Sequence, residues 1–127
     1  MQKIFFISAA ILGGLAVAIS AFGSHGGADI LVQNNALVTF GKAVRYQMYH
    51  SLVLFVVYFA LGIWKSQTKS LNVSGILFLL GIIFFSGSLF LISFTGLKMG
   101  YITPIGGTAL VGGWFTLAYA GYKVKLK

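Results

Sequence analysis

Four stretches of this chain, about Ile4 to Phe22, Tyr46 to Trp64, Leu71 to Phe94 and Thr103 to Tyr122, run almost without charge, each near the ~20 residues that a helix needs to cross the hydrocarbon core of a bilayer. Inside that core no water is available, so a lone segment must satisfy its own backbone N–H and C=O groups, and helix is the conformation that does so. The expected fold is therefore all-α: an integral membrane four-helix bundle, one domain over residues 1–127. Composition agrees, with 8% charged and 58% hydrophobic residues, where a soluble domain carries about a quarter charged.

The first stretch has some features of a signal peptide, with Lys3 ahead of it and small residues from Ala18 to Ala21. It is long enough to span, and it reads as a retained helix. The formal charge of +8, with Asp29 the single acid, comes from cations at the ends of the apolar runs. Isolated flanking lysines make no basic face, so nucleic acid is excluded as a partner. Placing the N-terminus in the cytoplasm puts Lys3, Lys65, Lys69, Lys123, Lys125 and Lys127 inside and Lys42, Arg45 and Lys98 outside. That asymmetry predicts a cell-membrane protein with both termini cytoplasmic.

The loops differ in length. Spans two and three are joined by a short polar turn, which makes them antiparallel neighbours. Spans one and two are separated by Gly23 to Arg45, in which Ile30, Leu31, Leu37, Val38 and Phe40 alternate with Gln33, Asn34, Asn35 and Lys42. This pattern suits an amphipathic helix lying on the outer membrane surface; an ordered loop packed over the bundle fits the same residues. Thr103 is placed to cap span four and Pro104 to open it. Ala10, Gly14 and Ala18 on span one, and Thr108, Gly112, Thr116 and Ala120 on span four, form rows of small residues. Such rows let helices approach closely in lipid, whether in self-association or with a membrane protein partner. Trp114 falls mid-span, and its indole N–H calls for a partner inside the bundle.

Chemically capable side chains gather at one end. His25 follows span one, and Arg45, Tyr46, Gln47 and His50 open span two. Tyr46 and His50 share a helix face, as do Arg45 and Tyr49. A titratable residue within a span is a functional candidate. His50 can bond a backbone carbonyl and act structurally. The cluster can bind a small ligand, a lipid headgroup or a quinone. Two histidines can also serve as haem ligands, though nothing in the spacing demands it. The expectation is that His25 and His50 lie together at the ends of spans one and two. Two His without Cys or Glu fall short of a zinc site, so no metal and no obligatory cofactor is expected. Ser86-Gly87-Ser88 offers hydroxyls but no base at a defined spacing, and no carboxylate lies in any span, so no catalytic residue is assigned.

The strings Ala21-Phe22-Gly23-Ser24-His25-Gly26, Ala43-Val44-Arg45-Tyr46-Gln47-Met48-Tyr49-His50, Phe85-Ser86-Gly87-Ser88-Leu89-Phe90, Thr103-Pro104-Ile105-Gly106-Gly107 and Gly113-Trp114 occur in this order. Together they resemble the domain of unknown function 423 family, over about Gly13 to Ala118. The resemblance implies a multi-pass membrane protein and supplies no reaction. Ser24 stands where the family usually has alanine, Phe40 where many members have Trp, and Phe90 where many have Tyr. His25, Tyr46, Gln47 and His50 match the motif positions. Residues and resemblance together predict a small non-enzymatic membrane protein, structural or accessory to a larger membrane complex. The alternative is ligand, lipid or quinone binding at His25, Arg45, Tyr46, Gln47 and His50.

Overall fold

A computed structural model describes residues 1–125, and every regular element among them is a helix; Lys127, expected on the cytoplasmic side, lies outside the described residues. The first apolar stretch forms α1 (Gln2–Ser24). Ahead of the Gly26-Gly27 pair the chain leaves the helix at His25, and Phe22 O accepts from the backbone N–H of both His25 and Gly27. A short α2 (Ala28–Gln33) follows, with Asp29 in its first turn where the positive end of the helix dipole favours an acid. It closes on Asn35 at φ 49°, the left-handed conformation that asparagine tolerates better than most residues. Ala36 N–H then bonds Leu31 O at 2.8 Å and Asn35 N–H bonds Val32 O at 3.0 Å, which satisfies the last carbonyls of the helix.

The second long helix, α3 (Leu37–Ile63), has 27 residues and so measures about 40 Å, more than the ~30 Å hydrocarbon thickness. It begins well before Tyr46, so the amphipathic stretch is divided between α2 and the first turns of α3. Within that stretch Leu31 and Phe40 are buried while Val38 is exposed. At the far end Lys65 Nζ donates to Leu61 O at 3.0 Å, a cation on the negative end of the dipole. A single 3-10 turn, Lys65–Gln67, leads into α4 (Thr68–Gly81), a π turn (Ile82–Ser86) and α5 (Gly87–Thr95). These run as one 31-residue rod. It ends at Gly96, at φ 71°. The last helix is α6 (Ile102–Lys123).

α1, α3 and the Lys65–Thr95 rod are long and apolar enough to cross a membrane. α6 has the length, with 22 residues, but its glycines and threonines dilute its apolar character. All four present large apolar side chains outward, among them Ile11, Leu15, Phe59, Ile63, Ile83, Leu91, Ile105 and Phe115. Water would not tolerate so extensive a surface, and lipid requires it.

α3 is the hub. α1 packs along one flank and α4, the π turn and α5 along another, while α6 lies against α4 and the π turn. Glycines receive aromatic rings at these contacts: Phe5 of α1 fills the space over Gly75 of α4, and Phe78 of α4 that over Gly113 of α6. Gly81 receives Leu110. Gly75 and Gly81, six apart, thus serve different neighbours. The closest approach is at Gly106, where a Cβ would collide with the backbone of Phe84 and Phe85. α6 therefore rests on the π turn itself, where Gly87 N–H reaches back to Ile82 O. Thr103, expected to cap α6, makes no side-chain cap. Its hydroxyl instead meets Ser88 Oγ at 2.6 Å and ties α6 to α5.

Candidate functional site

The residues from Arg45 to His50 occupy successive positions on α3 at 100° intervals, so they fan out over three faces rather than converge. Gln47 points into the core, 5% exposed, and its Nε2 donates to Leu12 O of α1 at 2.7 Å. One turn on, Ser51 Oγ donates to Gln47 O at 2.6 Å. This face fastens α1 to α3.

Tyr46 and His50 face away from α1, toward α6. His50 is buried, with its Nδ1 2.6 Å from Tyr46 O. Because a carbonyl only accepts, Nδ1 carries the proton. Trp114 Nε1–H donates to Nε2 at 3.2 Å, which requires a lone pair there. Both ring nitrogens are engaged, in one neutral tautomer, and neither offers a free lone pair to a metal or haem iron. Phe78 packs against both the imidazole and the indole, and Tyr46 stacks on Phe85 at 4.9 Å. The resulting cleft of about 440 Å³ between α3 and α6 is lined by Tyr46, His50, Phe85, Thr108, Leu110 and Trp114. Trp114 closes one side of it and is half exposed to the surroundings.

Arg45 and Tyr49 turn to the outer edge of the α1 contact. With Ser20, Ser24 and His25 they border a groove of about 500 Å³ between α1 and α3. Its apolar walls are Ala16, Val17, Ala21, Val44 and Met48. His25 and His50 therefore line different clefts on different faces of α3. The expectation that they share a site is corrected, because i and i+5 positions such as Arg45 and His50 diverge by 140°. The structure brings Arg45 to His25 and Tyr46 to His50, and gives Gln47 to the helix contact.

Other polar contacts escaped the sequence. Ser74 Oγ donates to Gly113 O at 2.8 Å across α4 and α6, and Asn34 Nδ2 donates to Ser93 O at 3.0 Å. Ser86 is buried in the π turn and its Oγ has no hydrogen-bond partner. A serine in a span facing a glycine-rich helix is the one signal that could have pointed to the Ser74 contact. Among the described residues no group of three or more His, Cys, Asp or Glu is placed to hold a metal ion.

The family model described as a protein of unknown function, DUF423, matches residues 19–107. The chain belongs to the DUF423 family. It is 42% identical over 125 residues to a UPF0382 membrane protein of Staphylococcus aureus, covering 96% of this chain and 98% of that one. It is 40% identical over 123 residues to one of Bacillus subtilis, with the same coverage, and 36% identical over 126 residues to one of Haemophilus influenzae, covering 98% of each. No solved structure matches. The DUF423 match contains most of the groove and part of the cleft: His25, Arg45, Tyr46, Gln47, His50 and Phe85 lie within it, while Ala16 and Val17 precede it and Thr108, Leu110 and Trp114 lie beyond its end. This DUF423 chain is a small multi-pass membrane protein.

Proposed function

We propose that the chain crosses the cell membrane four times, through α1, α3, the α4–α5 rod and α6, as a four-helix bundle with both termini cytoplasmic. In this reading α2 and the first turns of α3 lie at the outer surface, and the protein acts without catalysis, by pairing through α1 with another transmembrane helix. The partner is a second copy or a subunit of a larger membrane complex. The observation that carries this is the face of α1 bearing Ala10, Gly14 and Ala18. These residues are exposed, and a side chain built at Gly14 would meet nothing within 4 Å. Close approach of backbones is what drives helix association in lipid, and this row is left bare by the chain's own helices. The polar side chains of the interior are in contrast already hydrogen-bonded, between helices at Gln47, His50 and Ser74 and back to their own helix at Ser51 and Ser93.

Because Gly14 faces open space, Gly14→Ile leaves the fold intact and blocks only close approach. Detergent-extracted wild type is expected to cross-link to itself or to one stoichiometric partner through α1, and Gly14→Ile to lose that product. A wild type that yields no such product, or a variant that keeps it, overturns the reading. The chain contains no cysteine, so orientation can be read with single substitutions at two exposed positions. In intact cells an impermeant maleimide is expected to label Lys98→Cys and to reach Ser66→Cys only after permeabilisation. The opposite pattern reverses the orientation.

A further inference from the structure

The groove between α1 and α3 combines apolar walls with a few polar side chains. Ala16, Val17 and Ala21 of α1 and Val44 and Met48 of α3 form the apolar walls, and Arg45, His25, Ser20, Ser24 and Tyr49 supply the polar groups. Arg45 is held there by the local sequence. Its guanidinium lies back over Gly41 on the preceding turn, where a Cβ would come within 3.1 Å of Nη1. The single acid of the chain is Asp29, and no ion pair forms among the described residues, so the five N–H donors of Arg45 are not spent on a carboxylate. Phe22 O accepts from His25 and Gly27 N–H, and Ser20 O accepts from Ser24 Oγ at 3.2 Å.

We propose that this groove binds an anionic phospholipid, with the phosphate on Arg45 and His25 and an acyl chain lying between α1 and α3. Guanidinium matches phosphate with paired charge-assisted hydrogen bonds. The apolar walls favour an amphiphile over free phosphate, since a soluble anion would gain nothing from Val17, Val44 and Met48. The proposal rests on α1 and α3 crossing the bilayer, and is independent of whether α1 pairs with another helix.

The test is native mass spectrometry of the full chain in mild detergent, titrated with palmitoyl-oleoyl phosphatidylglycerol. The wild type is expected to retain this lipid and not the diacylglycerol with the same chains. Arg45→Gln, at an exposed position that does not threaten folding, is expected to weaken retention about tenfold, the scale of losing one charge-assisted pair. Ser20→Phe, which fills the groove, is expected to abolish retention at unchanged helical content. Lys42→Gln removes an equal charge one turn away and is expected to bind as the wild type does. Gly14→Ile is also expected to keep the lipid, which separates this site from α1 pairing. Equal losses in Lys42→Gln and Arg45→Gln would mean diffuse attraction to positive charge and overturn the site. So would full retention by a folded Ser20→Phe, equal binding of diacylglycerol, or displacement of the lipid by inorganic phosphate.

Discussion

The indole N–H of Trp114 donates to Nε2 of His50 across 3.2 Å, joining α6 to α3 over a cleft rather than through packed backbones. The backbones of these two helices make little contact, so the side-chain bridge, with Phe78 beneath it, fixes their separation at this level. The other end of the imidazole is tied to Tyr46 O at 2.6 Å. One neutral histidine thus completes a donor–acceptor chain running from α6 to the backbone of α3.

Cutting either half of that chain should loosen α6 from α3. Hydrogen bonds between membrane helices average about 0.6 kcal/mol and reach about 1.7. Trp114→Phe and His50→Ala are each expected to lower stability by at least that average, since each also removes packing on Phe78. The double variant should fall short of the sum of the two singles, leaving a coupling within the same range. Thermal unfolding in detergent measures all three. Additive losses would mean that the 3.2 Å contact contributes nothing of its own.

The long helices were legible from the sequence because membrane spans follow from length and apolar content alone, and Trp114 announced its need for a partner by lying mid-span. The partner itself was not legible. His50 and Trp114 lie 64 residues apart, and no periodicity relates positions on two separate helices. The start of α3 at Leu37 was also hidden, because Gln33, Asn34 and Asn35 resemble a continuing loop although they end one helix and precede another. The fan of Arg45 to His50 was readable in principle, since 100° per residue separates the faces. Which face meets α1 is set by Gln47 and the carbonyl of Leu12, a relation of tertiary packing.

Gln47→Leu tests that relation. Leucine matches the burial of residue 47 but cannot donate, and Leu12 O then loses its interhelical donor. The expected loss is about 1 kcal/mol, and it should appear as easier proteolysis or fraying of α1 and leave the contact of α4 with α6 unchanged. A Gln47→Leu protein with α1 as protected as in the wild type would assign the docking of α1 to Phe5 and Ala9 alone.

Two buried serines should respond in opposite directions. Ser74 Oγ bonds Gly113 O across the α4–α6 contact at 2.8 Å, whereas Ser86 Oγ is buried without a partner. An unsatisfied buried hydroxyl costs about 1–3 kcal/mol, and a satisfied one contributes about 1. Ser86→Ala is therefore expected to leave the melting temperature unchanged or raise it, while Ser74→Ala lowers it. A drop for Ser86→Ala would show that its hydroxyl has a partner in the membrane, most simply a bound water or a partner helix.

Glycines supply the last test, because the space around them differs so sharply. At Gly106 a Cβ would enter the backbone of Phe84 and Phe85 at the π turn, and backbone cannot yield as a side-chain tip can. Gly106→Ala must push α6 off the turn, breaking the Ser88–Thr103 contact and opening the packing around Leu110. The expected cost is about 1–3 kcal/mol, the range for overpacking a core. At Gly87, five residues C-terminal to the start of the same turn, nothing lies within 4 Å of the added carbon. Alanine there is expected to stabilise by about 0.5–1 kcal/mol through the entropy that glycine loses in a helix. Melting temperatures of the two variants, measured side by side in one detergent, should move in opposite directions. If Gly106→Ala proves neutral, α6 is free to slide along the rod, and the π turn would be a property of the Ile82–Ser86 sequence rather than of the helix that rests on it.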